Sequence, residues 1–481
     1  MITWREKRSG LIAPDERLPW GPTVAMGLQH ALAMFGSTVV VPVVMGFDPN
    51  VVIFFSGVGT LLFFLIVSGR IPSYLGSSFS FVAPVAAVIG SPAAGTLNTA
   101  NIPLALGGIL AAGLVYALIG VVVEVSGSAW IDALMPPLVT GSVVMIIGLN
   151  LAPAARGLAQ DSVLLAAVTL LSTLCFALLM RGMVARLAIL LGAAVGYVVA
   201  LVLGGSSAAG HSYAGVVVQG VDLSKVESAP WFGLPAFVHP AFDLHAISVI
   251  VPVAIILVAE NTGHIKAVEA MSNRKLTRWL GRAFIGDGVA TIVSSLGGGS
   301  GVTTYAENIG VMAVTRVYST LIFVIAALVA ISLGLCPKFG ALVGSIPTGV
   351  IGGVVTVLFG LIAITGARIW VDNRVDFTRG VNLFIAGVVV IIGAADYTLQ
   401  IGDFQLGGIG LGTFGAIILY QLFKDAAGGV DAGPTPESVT SDSANGEVVP
   451  VARLANPGPR SRHGEQWCSG ARPTGTVGRC R

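Results

Sequence analysis

Gly297-Gly298-Gly299-Ser300-Gly301-Val302-Thr303-Thr304-Tyr305-Ala306-Glu307-Asn308 interrupts one of the most apolar regions of this chain. The glycines and serine at its start are poor helix formers, and the Val-Thr-Thr-Tyr run that follows favours extended backbone. A carboxylate and an amide close the stretch. Upstream lies a second polar cluster, Ala259-Glu260-Asn261-Thr262-Gly263-His264. Carboxylates and imidazoles are expensive inside a bilayer, so there they mark a functional site by default.

Composition decides whether a bilayer is the right solvent. Hydrophobic residues make up 54% of 481 and charged residues 10%, against about 25% charged in an ordinary soluble domain. Uncharged stretches recur, the longest from 71 to 123. A spanning helix needs about 20 predominantly apolar residues, so such a stretch holds two. Dividing the chain at Pro, Gly and Asn clusters predicts an all-α polytopic membrane protein of fourteen spans. The first seven fall near 23–45, 50–68, 71–92, 101–124, 130–152, 162–180 and 186–206. The second seven fall near 244–266, 281–297, 302–315, 316–336, 341–364, 378–396 and 404–424.

Basic residues orient this arrangement, because cytoplasmic loops carry the excess of Lys and Arg. With the N-terminus inside, seventeen basic residues fall in cytoplasmic segments and only Arg156, Lys225 and Lys338 outside. Both termini are then cytoplasmic and the expected location is the bacterial inner membrane. Residues 1–22 form a cytoplasmic segment without the short apolar core of a removable signal, and 207–243 an extracytoplasmic connector whose Trp231-Phe232-Gly233-Leu234 suits an interface. Residues 425–481, poor in large apolar side chains, read as a disordered cytoplasmic tail. Cys175, Cys336, Cys468 and Cys480 have no metal-ligand spacing, so neither a metal nor a cofactor is expected. The net charge of +2 gives no reason to expect nucleic acid as a partner.

Two consecutive seven-span halves, 23–206 and 244–424, necessarily run in opposite senses, which is the inverted-repeat plan of many transporters. Gly-interrupted segments at corresponding positions point to a binding site in that plan. Tyr74-Leu75-Gly76-Ser77-Ser78-Phe79-Ser80-Phe81 lies in the third span and Gly301 to Ala306 in the tenth. Two short extended segments facing each other would satisfy one another's backbone; Gly-kinked helices are the alternative.

The ionisable residues carry two readings each. Glu260 and His264 are four apart, on one helical face, where an imidazole and a carboxylate can share a proton; the alternative is an interfacial cluster beside Lys266, which the place of Glu260 about two thirds along its span disfavours. Glu307 and Asn308 open a helix, placed for a ligand or as an ordinary cap. Asp287 either pairs with Arg282 or reaches the site, and His30 either packs or lines a cavity.

Glu307-Asn308-Ile309-Gly310, followed after four residues by Thr315-Arg316, resembles the signature of the nucleobase-ascorbate transporter family, also called nucleobase cation symporter-2. Gln29-His30, Gly76-Ser77-Ser78-Phe79 and Ala259 through His264 sit where that family carries its other motifs, and the resemblance spans roughly residues 15–424. Within the family the chain looks most like bacterial uracil and pyrimidine permeases.

The resemblance implies a core domain (spans 1–4 and 8–11) and a gate domain (5–7 and 12–14), with short antiparallel β-strands breaking spans 3 and 10. It also implies substrate contacts at Glu260, Glu307 and the backbone of Phe79 and Ala306, with His264, Asp287, Asn308, His30 and Tyr305 in the surrounding proton-coupling or site network. The expected activity is import of uracil or a related nucleobase with a proton, by a homodimer joined through its gate domains in membrane lipid. Ala306 replaces a Gly of the best-known uracil permease, which bears on uracil against thymine. A purine or xanthine carrier is the nearest rival. A sulfate-type anion carrier sits poorly with two buried glutamates, and a polytopic enzyme lacks a nucleophile arrangement.

Overall fold

The computed structural model describes residues 4–90, 95–206, 210–213, 215–402 and 404–424; the tail expected at 425–481 lies outside the described residues. The first elements are β1 (Arg5–Glu6) and β2 (Glu16–Arg17), paired in parallel, followed by α1 (Trp20–Ala33), α2 (Phe35–Met45) and α3 (Pro49–Ile66). Asp48 caps α3 by accepting from the Asn50 amide at 2.8 Å, with Pro49 at the first helical position, where its missing N–H costs nothing. Next come β3 (Leu75–Ser77), a 3₁₀ turn at Phe79–Phe81, α4 (Val82–Ile89) and the long α5 (Ile102–Ser126).

After the short α6 (Ala129–Leu134) come α7 (Pro137–Asn150), α8 (Ala152–Gln160), α9 (Val163–Leu179), α10 (Met183–Arg186) and α11 (Ala188–Val199). The connector holds a β4–β5 hairpin (His211–Tyr213, Val216–Val218) and α12 (Ser224–Ser228). Trp231 and Phe232 within it stay exposed, with the Lys338 ammonium 4.9 Å over the Trp231 ring.

The second half contains α13 (Leu244–Ile250), α14 (Val253–Ser272), α15 (Leu280–Leu296), β6 (Val302–Thr304), α16 (Ala306–Thr315), α17 (Thr320–Gly334), α18 (Pro337–Gly344), α19 (Thr348–Asp372) and α20 (Gly380–Ala394). A hairpin of β7 (Leu399–Ile401) and β8 (Phe404–Leu406) leads into α21 (Gly408–Phe423). Among the described residues, six helical runs are long and apolar enough to cross a membrane, or seven if α17 and α18, bent by 82°, form one span; five more apolar helices are shorter. Exposed Leu65, Leu118, Leu178 and Val371 suit a lipid-facing surface.

Several boundaries differ from expectation for identifiable reasons. A single span at 341–364 becomes α18 and a separate α19 reaching Asp372, because Pro347 caps a new helix start. The helix expected from 316 begins at Thr320. Arg316 is left-handed (φ 57°), and Val317 pairs with Ile12 of the N-terminal segment. That segment is an ordered strap: the Ile12 amide donates to Arg316 O at 3.0 Å, and the Tyr318 amide to Ile12 O at 2.8 Å. Trp4 Nε1 adds a bond to Thr320 Oγ1 at 3.0 Å.

Packing sorts the helices into two groups. α15 packs on α5 and α3, and α17 on α3 and α1. α19 packs on α7, α8 and α9, while α20 and α21 pack on each other and on α7. Without a hydrophobic drive between helices in lipid, close backbone approach has to supply the attraction. At the α5–α15 contact, Gly120 and Gly288 lie so close to the facing helix that a Cβ on either would come within 2.6 Å of an opposing backbone nitrogen.

Candidate functional site

The two interrupted segments meet. β3 and β6 pair antiparallel, Leu75 opposite Thr304, Gly76 opposite Thr303 and Ser77 opposite Val302. The Ser78 amide donating to Gly301 O (3.0 Å) and the Tyr305 amide to Tyr74 O (3.2 Å) extend the ladder. Mutual pairing is what allows non-helical backbone inside an apolar bundle. Two glycines are required here. Gly298 turns the chain into β6 at φ 95°, and a Cβ at Gly76 would stand 2.5 Å from the Tyr305 ring. Tyr305 braces the strands from behind, its hydroxyl donating to Ser77 O at 3.0 Å and accepting from Thr38 Oγ1 at 3.1 Å.

Each strand delivers the chain to a helical start, Phe79 after β3 and Ala306 after β6, where the first amides have no partner inside the helix. Phe79, Ser80, Ala306 and Glu307 border a cavity of about 70 Å³. α14 adds Glu260 and His264; Val144 and Ile147 of α7, with Ile362 and Thr365 of α19, close the opposite wall. The Phe79 ring stands edge-on to Phe359 of α19 at 5.5 Å. The cavity thus lies between the two helix groups.

Its carboxylates are held by hydroxyls. Ser80 Oγ donates to Glu260 Oε2 at 3.2 Å, and Ser37 Oγ donates to Glu307 Oε1. Glu260 and His264 share the cavity, but among the described residues no hydrogen bond joins them: His264 Nδ1 is 2.8 Å from Thr304 Oγ1. Lys266, two residues beyond His264, pairs with Asp132 at 2.5 Å and with neither member of this pair.

Behind the cavity Asn261 fills its whole hydrogen-bonding capacity. Its Nδ2 donates to Tyr116 Oη (2.6 Å) and to Asp287 Oδ2, while its Oδ1 accepts from Thr303 (3.0 Å) and Thr304 (2.5 Å). Asp287 therefore joins the site through Asn261, and Arg282 pairs instead with Glu124 at 3.1 Å. His30 and Asn308 do not border the cavity. His30 is buried edge-on to Phe323 at 4.8 Å, and neither its ring nitrogens nor the Asn308 amide has a hydrogen-bond partner among the described residues.

Sequence reasoning did not single out Asn261, Ser37, Ser80 or Thr304. The available signal was a hydroxyl or amide inside an apolar span, too common to select them. Nor did it find a second cavity of about 200 Å³, which shares Glu307 and is bordered by Gly36, Arg186 and Gly310. Among the described residues no group of three or more His, Cys, Asp or Glu side chains is placed to hold a metal ion.

Residues 21–402 match the model of the Permease family, and the chain belongs to that family, as the resemblance to nucleobase-ascorbate transporters led us to expect. It is a multi-pass membrane protein and not an enzyme. The pyrimidine permease RutG of Escherichia coli K12 is 54% identical over 90% of this chain and 95% of its own. The uracil permease of Bacillus caldolyticus is 40% identical (84% and 93% covered), and that of Escherichia coli K12 is 35% identical (91% and 98%). The fold is shared with the transmembrane domain of the cyanobacterial bicarbonate transporter BicA, with a TM-score of 0.55 at 15% identity over 82% of this chain and 97% of that one. Murine Slc26a9, an anion transporter, superposes with a TM-score of 0.56 at 11% identity over 84% and 68%.

Proposed function

We propose that this protein is a secondary active transporter that imports uracil, or a closely related pyrimidine base, with a proton. The observation that carries the reading is the convergence of two glutamates from separate helices, and two unclaimed helix-start amides, on one cavity between two helix groups. The edge of uracil alternates N–H donors with carbonyl acceptors. Glu260 and Glu307 accept from the N–H groups, the amides at Phe79 and Ala306 donate to the oxygens, and the Phe79 ring supplies an apolar wall. A base lacking a matching group leaves buried polar atoms unpaired, which is the basis of selection. The relatives named as uracil and pyrimidine permeases favour this substrate class.

Proton coupling is assigned to Glu260 and His264 with the Asn261–Asp287 network behind them. Protonation neutralises buried charge and favours base binding; release of both on the other side resets the carrier. One proton crossing 100 mV supplies about 2.3 kcal/mol, enough to concentrate a neutral base roughly 50-fold.

The architecture in this reading is fourteen spans in a seven-plus-seven inverted repeat, β3 and β6 breaking the third and tenth. The helices around α3, α5, α15 and α17 form the core, and those around α7, α19, α20 and α21 the gate. Relative movement of the two groups exposes the cavity to each side in turn. Both termini are cytoplasmic in the bacterial inner membrane, and two copies pair through the gate.

Uptake of labelled uracil into proteoliposomes, with pH and sodium gradients imposed separately, tests the reading. Accumulation is expected with the acid-outside gradient alone and is expected to be suppressed by excess unlabelled uracil. Sodium-driven uptake removes the proton assignment; stronger competition by xanthine than by uracil removes the substrate.

A further inference from the structure

A cleft of about 520 Å³, away from the transport cavity, is walled by the turn after α3, the loop between α14 and α15, and the N-terminal strap. Arg70, Arg274, Lys275 and Arg278 border it, and Asp15 is its only acid. The Arg70, Arg278 and Arg282 guanidiniums lie 5.8, 5.5 and 4.8 Å from the centroid of the Trp279 ring, so the indole gathers three cations, of which Arg70 and Arg278 border the cleft. Asp15 neutralises one cation, with Arg274 Nη2 3.0 Å from its carboxylate. Arg70, Lys275 and Arg278 form no salt bridge among the described residues. Arg282, one helical turn further on, is by contrast neutralised by Glu124 at 3.1 Å.

Guanidinium groups present a planar donor fork suited to phosphate oxygens, and like charges held together strengthen one another's attraction for an anion. We propose that this cleft binds a phosphate group, carried either by an anionic lipid headgroup or by a soluble phosphate compound, and that the Asp15 carboxylate competes with it for Arg274. The strap that supplies Asp15 also supplies Ile12, bonded to Arg316 at the end of α16, the helix bearing Glu307. Occupancy of the cleft is thereby linked to the seating of the strap against the C-terminal end of α16.

The test uses full-length protein in two arms. In neutral detergent, pyrophosphate binding is measured by calorimetry at low and high salt. In bilayer discs of phosphatidylcholine with or without phosphatidylglycerol, retained lipid is counted by native mass spectrometry. Arg70→Gln with Arg278→Gln is expected to lower pyrophosphate affinity at least about tenfold, or to abolish selective phosphatidylglycerol retention. Arg368→Gln with Lys424→Gln, an equal loss of charge elsewhere, is expected to change neither. Loss in the first arm identifies a soluble phosphate, and loss only in the second a lipid headgroup. A cleft variant matching the control in both arms overturns the proposal. Should the cleft variant not fold, Asp15→Asn decides: tighter binding in either arm upholds the site, and unchanged or weaker binding in both overturns it.

Discussion

Thr304 of β6 donates its hydroxyl to Asn261 Oδ1 of α14 at 2.5 Å, while its oxygen lies 2.8 Å from His264 Nδ1. A hydroxyl has one hydrogen. With that hydrogen committed to Asn261, the His264 contact requires the ring to donate from Nδ1, which leaves Nε2 as the ring's available acceptor. Asn261 in turn contacts Asp287, so an imidazole at the cavity and a buried carboxylate behind it are joined by two side chains.

Thr304→Val retains the shape of the strand and removes both bonds. Gradient-driven uracil accumulation is expected to fall at least tenfold while exchange of labelled for unlabelled uracil persists, measured on one proteoliposome preparation. Unchanged accumulation would separate His264 from coupling through this hydroxyl.

Asn261→Leu leaves Tyr116, Asp287 and two threonines without their shared partner. Each unmade buried bond costs about 1–3 kcal/mol, so a drop in the thermal midpoint of the detergent-purified protein is expected, larger than that of Thr303→Val, which removes one bond. Equal midpoints would show that the network adds little to stability.

Glu260→Gln and Glu307→Ala are each expected to abolish uracil uptake with the protein still present in the membrane. Ser80→Ala and Ser37→Ala remove only the hydroxyl that orients each carboxylate; a bond to a charged group is worth about 1.5–3 kcal/mol, so a rise of roughly tenfold or more in the KM for uptake is expected. Full transport by both glutamate variants would displace the site.

Gly76→Ala drives a methyl into the Tyr305 ring and Thr38, 2.5 and 2.7 Å away. Overpacking of this kind costs about 1–3 kcal/mol. Reduced yield and an earlier thermal transition are expected, read by size-exclusion chromatography of heated samples. A midpoint equal to that of the unsubstituted protein would mean that the strand pair yields readily.

Arg186→Gln addresses the second cavity. If base leaves past Glu307 through that space, altered efflux with unchanged equilibrium binding is expected in preloaded proteoliposomes. Identical efflux would place the exit elsewhere.

Local composition made the apolar segments legible, and α3 at Pro49–Ile66 or α9 at Val163–Leu179 fall close to the expected limits because insertion depends on hydropathy summed along the chain. The Gly-rich breaks were legible too, since poor helix propensity is a property of a few neighbouring residues. Partners were not. Nothing near Glu307 in sequence announces Ser37, 270 positions away, and the nearby Arg282 proved to belong to Glu124 while Asp287 went to Asn261. The strap on Arg316 and Val317 carried no periodic signal at all.

By itself the sequence determined that the chain lives in a bilayer, where its spans are interrupted and which ionisable residues bear the expense of being there. Those properties are additive over short windows, so they survive without coordinates. Only the tertiary structure decided that β3 and β6 lie side by side, that Glu260 and Glu307 share one cavity, and that His30 does not reach it. Hydrogen bonds act over about 3 Å, and segments more than two hundred residues apart come that close only once the backbone has placed them.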